Sequence, residues 1–239
     1  MKTPSYVALS QQMVMRKQIG VIANNIANSE TPGYKADRLM FAEHLAKPKG
    51  GDQISYTRMA GVKTAFHAGG ITSTGNSLDV AIQGDGFFVV DTPAGPRYTR
   101  NGHFQLDENS QLVTSQGYSV LGEGDQPIVL SEDAGRITIA RDGTVSAENN
   151  DFGRIQLVRF ATAEGMKKAG GGLFTTDSNP DPAIGSFVIQ GSLEDSNVEP
   201  ILEITRMIKL MSAYKAAQKA IESEHERQRR AIERLGRMP

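Results

Sequence analysis

Apolar residues follow two different spacings along this chain. Over residues 5–28 they recur three and four positions apart, at Tyr6, Leu9 and Met13, then at Ile19, Ile22 and Ile26, which places them on one face of a helix. Val7, Val14 and Val21 repeat every seven residues beside that stripe, and Arg16 and Lys17 interrupt it. Thr3 or Ser5 can cap the helix, with Pro4 in its first turn, and the Thr31-Pro32-Gly33 turn predicts its end near Asn28. The last segment, about Val198 to Arg237, has the same helical period. Ser196 and Asn197 stand before it as caps, Glu199 and Pro200 fall in its first turn, and Ile201, Ile204, Ile208 and Met211 form the stripe. Tyr214, Ala217 and Ile221 continue on a shifted line. Beyond Glu222 the helix is charged, through Glu224, Glu226, Arg227, Arg229 and Arg230, and only Ile232 and Leu235 are apolar.

Between these ends the period changes to two. Strands are predicted at Leu78–Gln83, Gly86–Asp91, Arg97–Arg100, Phe104–Leu106, Leu112–Thr114, Ser119–Leu121, Ile128–Leu130, Ile137–Ala140, Val145–Ala147, Ile155–Phe160 and Phe187–Gln190. Turn signals separate them: Gly84-Asp85-Gly86, Asn101-Gly102, Gly122–Gln126, Asp142-Gly143 and Asn149-Asn150, with Pro180 and Pro182 in a loop near the end. Residues 34–75 have weak periodicity. They read as an extended or partly disordered linker, with room for a short helix at Arg38–Ala46. The fold class expected is α+β: N- and C-terminal helices that pair in a coiled-coil-like inner domain, plus a central antiparallel all-β domain.

An amphipathic helix must bury its apolar face against something. Each fully buried Ile or Leu contributes about 1.5–3 kcal/mol, and the two stripes hold about a dozen such residues. One solution is a two-helix appendage packed on the β-domain. The other is packing against copies of the same helices in a polymer. Apolar residues beside the main stripes, such as Val7 and Leu210, favour the polymer, because a pair buries one seam and a polymer several.

Composition narrows the alternatives. The 26 basic and 27 acidic residues give a formal charge of −1, which offers no argument for nucleic acid or an anionic membrane surface. The chain has no cysteine, so disulfides, thiol catalysis and cysteine-based zinc sites are excluded. No apolar run reaches the roughly 18 residues of a membrane span. Met1–Gly20 has polar residues throughout and lacks the continuous apolar stretch of a secretory signal, so no cleavable signal is expected.

Catalytic chemistry finds little support. His44, His67, His103 and His225 include no pair at helical metal spacing, and neither a metalloprotease motif, a nucleophile elbow nor a phosphate-binding loop is present. Gly84-Asp85-Gly86 leads into the strand-like Phe87–Val90 and so reads as a hairpin turn. Asp79, Asp85 and Asp91 read as turn and strand-end residues. As paired carboxylates they would have to share one cleft, and they are the sole support for the alternative of a secreted β-domain that binds or cleaves cell-wall glycan. No catalytic residue, metal or cofactor is assigned.

Four ordered blocks carry a resemblance. The first runs Ala23-Asn24-Asn25-Ile26-Ala27-Asn28 into Thr31-Pro32-Gly33-Tyr34-Lys35. The second is Gly75-Asn76-Ser77-Leu78-Asp79-Val80-Ala81-Ile82, leading to Gly84-Asp85-Gly86-Phe87-Phe88. Tyr98-Thr99-Arg100-Asn101-Gly102, with Phe104 and Leu106-Asp107, makes the third, and Leu193-Glu194 with Ser196-Asn197-Val198, then Ala213-Tyr214, the fourth. Together they resemble the axial family of flagellar rod and hook proteins, over nearly the whole chain. The chain is short for a hook protein of that family, and Gly122-Glu123-Gly124 before Pro127-Ile128 resembles the proximal rod subunit more than the distal one. The charged stretch Glu222–Arg230 departs from the family's usual ending.

The resemblance implies a structural subunit of a bacterial axle in the periplasmic space, and not an enzyme. It implies an inner layer from residues 1–33 and 193–239, a linker over 34–75, and an outer β-rich domain over 76–192. The implied partners are copies of itself, neighbouring rod proteins and the flagellar type III export apparatus, which carries the chain unfolded and uncleaved. The implied assembly surface comprises Tyr6, Leu9, Met13, Ile19, Ile22, Asn24, Asn25, Ile26 and Asn28, with Asn197, Val198, Ile201, Ile204, Ile208, Met211 and Tyr214. The terminal helices are expected to be disordered until assembly gives those faces a partner.

Overall fold

The computed structural model describes residues 3–46, 54–131, 135–148, 150–161 and 165–235. A helix stands at each end of the chain, α1 at Thr3–Ala27 and α2 at Pro200–Leu235, and antiparallel sheets lie between them. The chain divides into two units. One, the helical unit, holds Met1–Ala27, Asp37–Lys63 and Glu199–Pro239; the other, the β unit, holds Asn28–Ala36 and Thr64–Val198.

In the helical unit α1 lies against α2. Pro200 opens α2, where its missing N–H costs nothing, and Glu203 sits in the first turn, where a carboxylate favours the helix dipole. The strands Asp37–Ala46 and Ile54–Thr64 pair as a separate two-stranded ribbon. The short helix expected at Arg38–Ala46 is therefore a strand. Its Leu, Met, Ala and Glu are helix formers, but pairing with the β-branched and aromatic Ile54–Thr64 overrides that weak preference.

In the β unit the longest sheet runs in the order Lys167–Gly170, Leu173–Thr175, Arg97–Thr99, Phe87–Asp91, Ser119–Val120, Leu112–Thr114 and Phe104–Leu106. Leu157–Arg159 joins it beside Phe87–Asp91 and pairs in turn with Asp181–Pro182. A three-stranded sheet holds Ile137–Ile139, Thr144–Ala147 and Asn150–Arg154. Two pairs complete the set: Val80–Gln83 with Phe187–Gln190, and Ile71–Ser73 with Ser192–Glu194.

The strand Phe87–Asp91 explains how the unit is layered. Its side chains alternate, yet four in succession are buried. Phe88 and Val90 enter the main core with Val80, Ile82, Phe104, Leu112, Ile128 and Val188. Phe87 and Val89 enter a second cluster with Val158, Met166 and Phe174, capped by Phe66 and Phe160. Buried on both faces, this strand reads as a continuous apolar run.

Some expectations change in this unit. Ile128–Leu130 makes a single bridge, Val129 to Gln111, although Ile128 and Leu130 are buried. Asn150, read as part of a turn, starts a strand, and Pro182, read as loop, pairs opposite Val158. Proline has no N–H to give, so it fits only where the sheet asks nothing of it. The short strands Ile71–Ser73, Lys167–Gly170, Leu173–Thr175 and Ser192–Glu194 carry no alternating pattern that periodicity could detect.

Candidate assembly surface

α2 carries two apolar lines. Along the first, Glu203, Met207, Leu210, Tyr214, Ala217 and Ile221 are buried or half-buried at spacings of four and three. Gln18 and Ile22 of α1 share a depression of about 310 Å³ with Arg206, Lys209, Leu210 and Ala213 of α2, so this is the side that meets α1. The second line is the one its stripe predicts, and it is open: Ile201 is 79% exposed, Ile204 45%, Ile208 61% and Met211 43%. α1 has a matching pair of faces. Ile22 and Asn25 are buried, while Leu9 and Met13 are 51% and 60% exposed. Ile19 and Ile26 are half-buried and Asn24 is exposed. Tyr6 lies in α1 outside the residues whose side chains are described. The helical unit further exposes Met40, Phe41 and Val62 on its ribbon.

The stripe residues thus divide. Ile22 belongs to the contact between the helices, Tyr214 lies half-buried on the same line of α2, and Leu9, Met13, Ile201, Ile204, Ile208 and Met211 face solvent. The pattern of three and four finds an apolar face but does not say which face meets the other helix. The side turned to α1 is the one that carries Glu203, Arg206 and Leu210, which line depressions shared with Gln18 and Ile22.

The asparagines act on backbone. The Asn25 side chain accepts from the Asp37 N–H at 2.9 Å and donates to the Asp37 carbonyl at 2.9 Å, so it pairs with the first residue of the ribbon as a strand would. Thr31 closes the turn after α1 by donating its N–H to the Asn28 carbonyl at 3.2 Å. Gly33 then adopts φ +69°, and a Cβ there would lie 2.4 Å from the Arg100 carbonyl carbon, so only glycine fits. In the β unit Asn197 bridges three segments. Its Oδ1 accepts from the Ala36 N–H at 2.7 Å, and its Nδ2 donates to the carbonyls of Ala65 at 2.7 Å and His67 at 2.9 Å. Val198 is buried there with Tyr34 and Ala36.

Beside Asn197 lies a buried ionic cluster that periodicity does not reveal. Glu194 accepts from Lys35 Nζ and from the Gly69 N–H at one oxygen, and from Arg100 Nη1 at 3.1 Å at the other. Lys35 also donates to the His67 carbonyl at 2.9 Å, and Arg100 to the Gly84 carbonyl at 2.9 Å. None of the three side chains is more than 4% exposed. Burial pushes the Lys35 ammonium below its ordinary range, Glu194 opposes that shift by hydrogen bond and charge, and Arg100 adds to it. Two cations share one carboxylate, and together they tie residues 33–35, 67–69, 100 and 194 into one knot.

Asp79 accepts from Thr74 and Asn76 and lies 2.7 Å from His103 Nδ1, which accounts for it as a turn residue. Asp85 lines a cavity of about 400 Å³ with Phe66, Phe87, Arg100 and Arg159, and neither Asp79 nor Asp91 lines it. Among the described residues no group of three or more His, Asp or Glu converges as a metal site, and no helix is long and apolar enough to cross a membrane.

Three family models match in chain order: Flagella basal body rod protein at residues 6–35, the Flagellar hook protein FlgE/F/G D1 domain at 81–147, and the Flagellar basal body rod FlgEFG protein C-terminal at 189–234. The flagellar basal-body rod protein FlgF of Caulobacter vibrioides is 39% identical, over 98% of each chain. FlgF of Rhizobium meliloti is 35% identical over 99% of each chain. The rod protein FlgG of Bacillus subtilis is 32% identical over 92% of this chain and 94% of its own.

Proposed function

Starting from the fact that this chain belongs to the flagellar basal-body rod protein family, as a FlgF-like member, we propose that it polymerises through α1 and α2 into the periplasmic axle, and that its open helix faces are the contacts. The observation that carries this reading is the second apolar line of α2. Leu210 lines the depression shared with α1, and Ile201, Ile204, Ile208 and Met211 remain exposed on a helix already paired. About 1.5–3 kcal/mol is available from each such residue once a neighbour covers it.

In this reading the two helices pair in a coiled-coil-like manner and form the inner layer of the rod. The subunit transmits torque by rigid packing and has no catalytic role. It reaches the periplasm through the flagellar export apparatus, uncleaved, and occupies the proximal rod. A place in the distal rod is the second reading, favoured by the FlgG relatives; antibody labelling of isolated basal bodies along the rod separates the two.

The test replaces Ile204 and Ile208 by Lys. Soft-agar swimming and incorporation into isolated basal bodies are lost, while the variant accumulates and is exported. Normal swimming by this variant would refute the role given to the exposed stripe.

A further inference from the structure

The near-zero net charge of the chain conceals a separation. The helical unit, Met1–Ala27, Asp37–Lys63 and Glu199–Pro239, holds 17 of the 26 basic and 9 of the 27 acidic residues, a formal +8. The β unit holds the remaining 9 basic and 18 acidic residues, a formal −9. Neither value follows from one short run. Met1–Ala27 has Lys2, Arg16 and Lys17 and no acid, and the acids of the β unit are spread from Glu30 to Asp195. Many of them are exposed, among them Asp91, Glu108, Asp151 and Asp177, as are Arg38, Lys215, Lys219 and Arg229 of the helical unit.

We infer that neighbouring copies attract each other through unlike units, the basic helical unit of one copy facing the acidic β unit of the next. Two copies that meet through like units place +8 on +8 or −9 on −9, which charge repulsion opposes. Unlike units attract. Such a contact uses two different surfaces, so it is heterologous and propagates into an open filament, whereas a contact between like units closes as a dimer. A second copy fits better than an anionic polymer or lipid surface. The opposing charges are almost equal, so one neighbour on each side neutralises both units, while an anionic surface leaves the β unit unmatched. The apolar line of α2 then supplies contact energy and the charges supply polarity.

The inference rests on self-association of this chain, and the test is chosen to separate the two. The second virial coefficient of the full chain is measured by light scattering from low to high salt. Charge attraction reaches about 30 Å at 0.01 M salt and about 3 Å at 1 M. The coefficient is expected to be negative at low salt and to rise as salt increases. A flat or falling dependence overturns the inference and shows the charges to be matched within one chain. A net-charge-conserving variant supplies the second arm. Asp91→Asn, Glu108→Gln, Asp151→Asn and Asp177→Asn are combined with Arg38→Gln, Lys215→Gln, Lys219→Gln and Arg229→Gln. The formal charges fall from +8 and −9 to +4 and −5, and the total remains −1. Its salt dependence should be at most about half that of the parent; an undiminished dependence overturns the inference. So does tight salt-sensitive binding of the parent to anionic phospholipid vesicles without self-attraction. In each of these cases the Ile204 and Ile208 variants still decide the role of the helices independently.

Discussion

The β unit and the helical unit handle apolar surface in opposite ways. In the first, Val80, Phe88, Val90, Leu112, Val120, Val145 and Val188 are all fully buried, and even Lys35 and Glu194 are sealed off from water. In the second, Ile22 is buried where α1 meets α2, while Ile201, Ile208, Leu9 and Met13 are more than half exposed. Both units derive from equally regular sequence patterns. The difference is in what each pattern closes against. The central strand Phe87–Asp91 finds partners on both faces within the chain, and the side chains of the main core are closed off from water, although Val129 and Ile184 stay exposed elsewhere in the unit. A helix pair has one seam, and α2 carries apolar residues around more of its circumference than one seam can cover. Exposed contiguous apolar surface of this kind marks an interaction site.

The widest contrast is between matched truncations in the two units. Phe88→Ala, in the strand buried on both faces and stacked edge-on to Phe104 at 5.1 Å, should cost about 3–5 kcal/mol in urea unfolding. Ile208→Ala removes an exposed side chain and should change the same measurement by less than about 0.5 kcal/mol. Basal-body incorporation should nevertheless suffer for Ile208→Ala. If Ile208→Ala destabilised the isolated chain as much as Phe88→Ala does, the helix face would already be buried in the free subunit, and the comparison would fail.

The ionic knot sharpens the contrast from the β side. Glu194→Gln preserves size but leaves Lys35 and Arg100 as neighbouring buried cations without a carboxylate. Breaking a buried pair by removing one partner costs about 3–5 kcal/mol. Adding Lys35→Met to that variant should restore part of the loss, because it removes one of the unpaired charges. Thermal melts of the single and double variants measure the coupling, and strict additivity would mean that the three groups do not act as one cluster.

Much of this architecture was legible from period alone, and the failures have physical causes. α1, α2 and most strands of the main core announce themselves, because amphipathic period records which side faces a core. The ribbon strand Asp37–Ala46 does not, since its residues favour helix and show no alternating pattern. For α2 the stripe Ile201–Met211 was visible, but the side used against α1 includes Glu203 and Arg206, which no hydrophobic scale selects. The knot of Lys35, Arg100 and Glu194 was invisible for a different reason. Those residues are 65 and 94 positions apart along the chain, and only the fold brings them together. The family motifs did contain all three, so the resemblance singled out residues whose roles period could not supply.

A smaller loss than in the β core is expected where the helical unit does complete a contact. Asn25 is 2% exposed, and both polar atoms of its side chain are matched by the backbone of Asp37. Asn25→Ala removes two hydrogen bonds and leaves the Asp37 N–H and carbonyl to find other partners. At about 0.5–1.5 kcal/mol for each bond, the loss is about 1–3 kcal/mol. Asn25→Asp separates the two halves of that estimate: it retains the acceptor for the Asp37 N–H but presents no donor to the Asp37 carbonyl. Hydrogen exchange at the Asp37 amide is the appropriate measurement, because it reports the local joint and not the global core. Exchange should accelerate strongly in Asn25→Ala and much less in Asn25→Asp. The Phe88 amide, in the β unit, should exchange at its parent rate in both. Equal acceleration at both amides would mean that the two units open together, and that the division drawn between a closed unit and an open one does not describe how this chain unfolds.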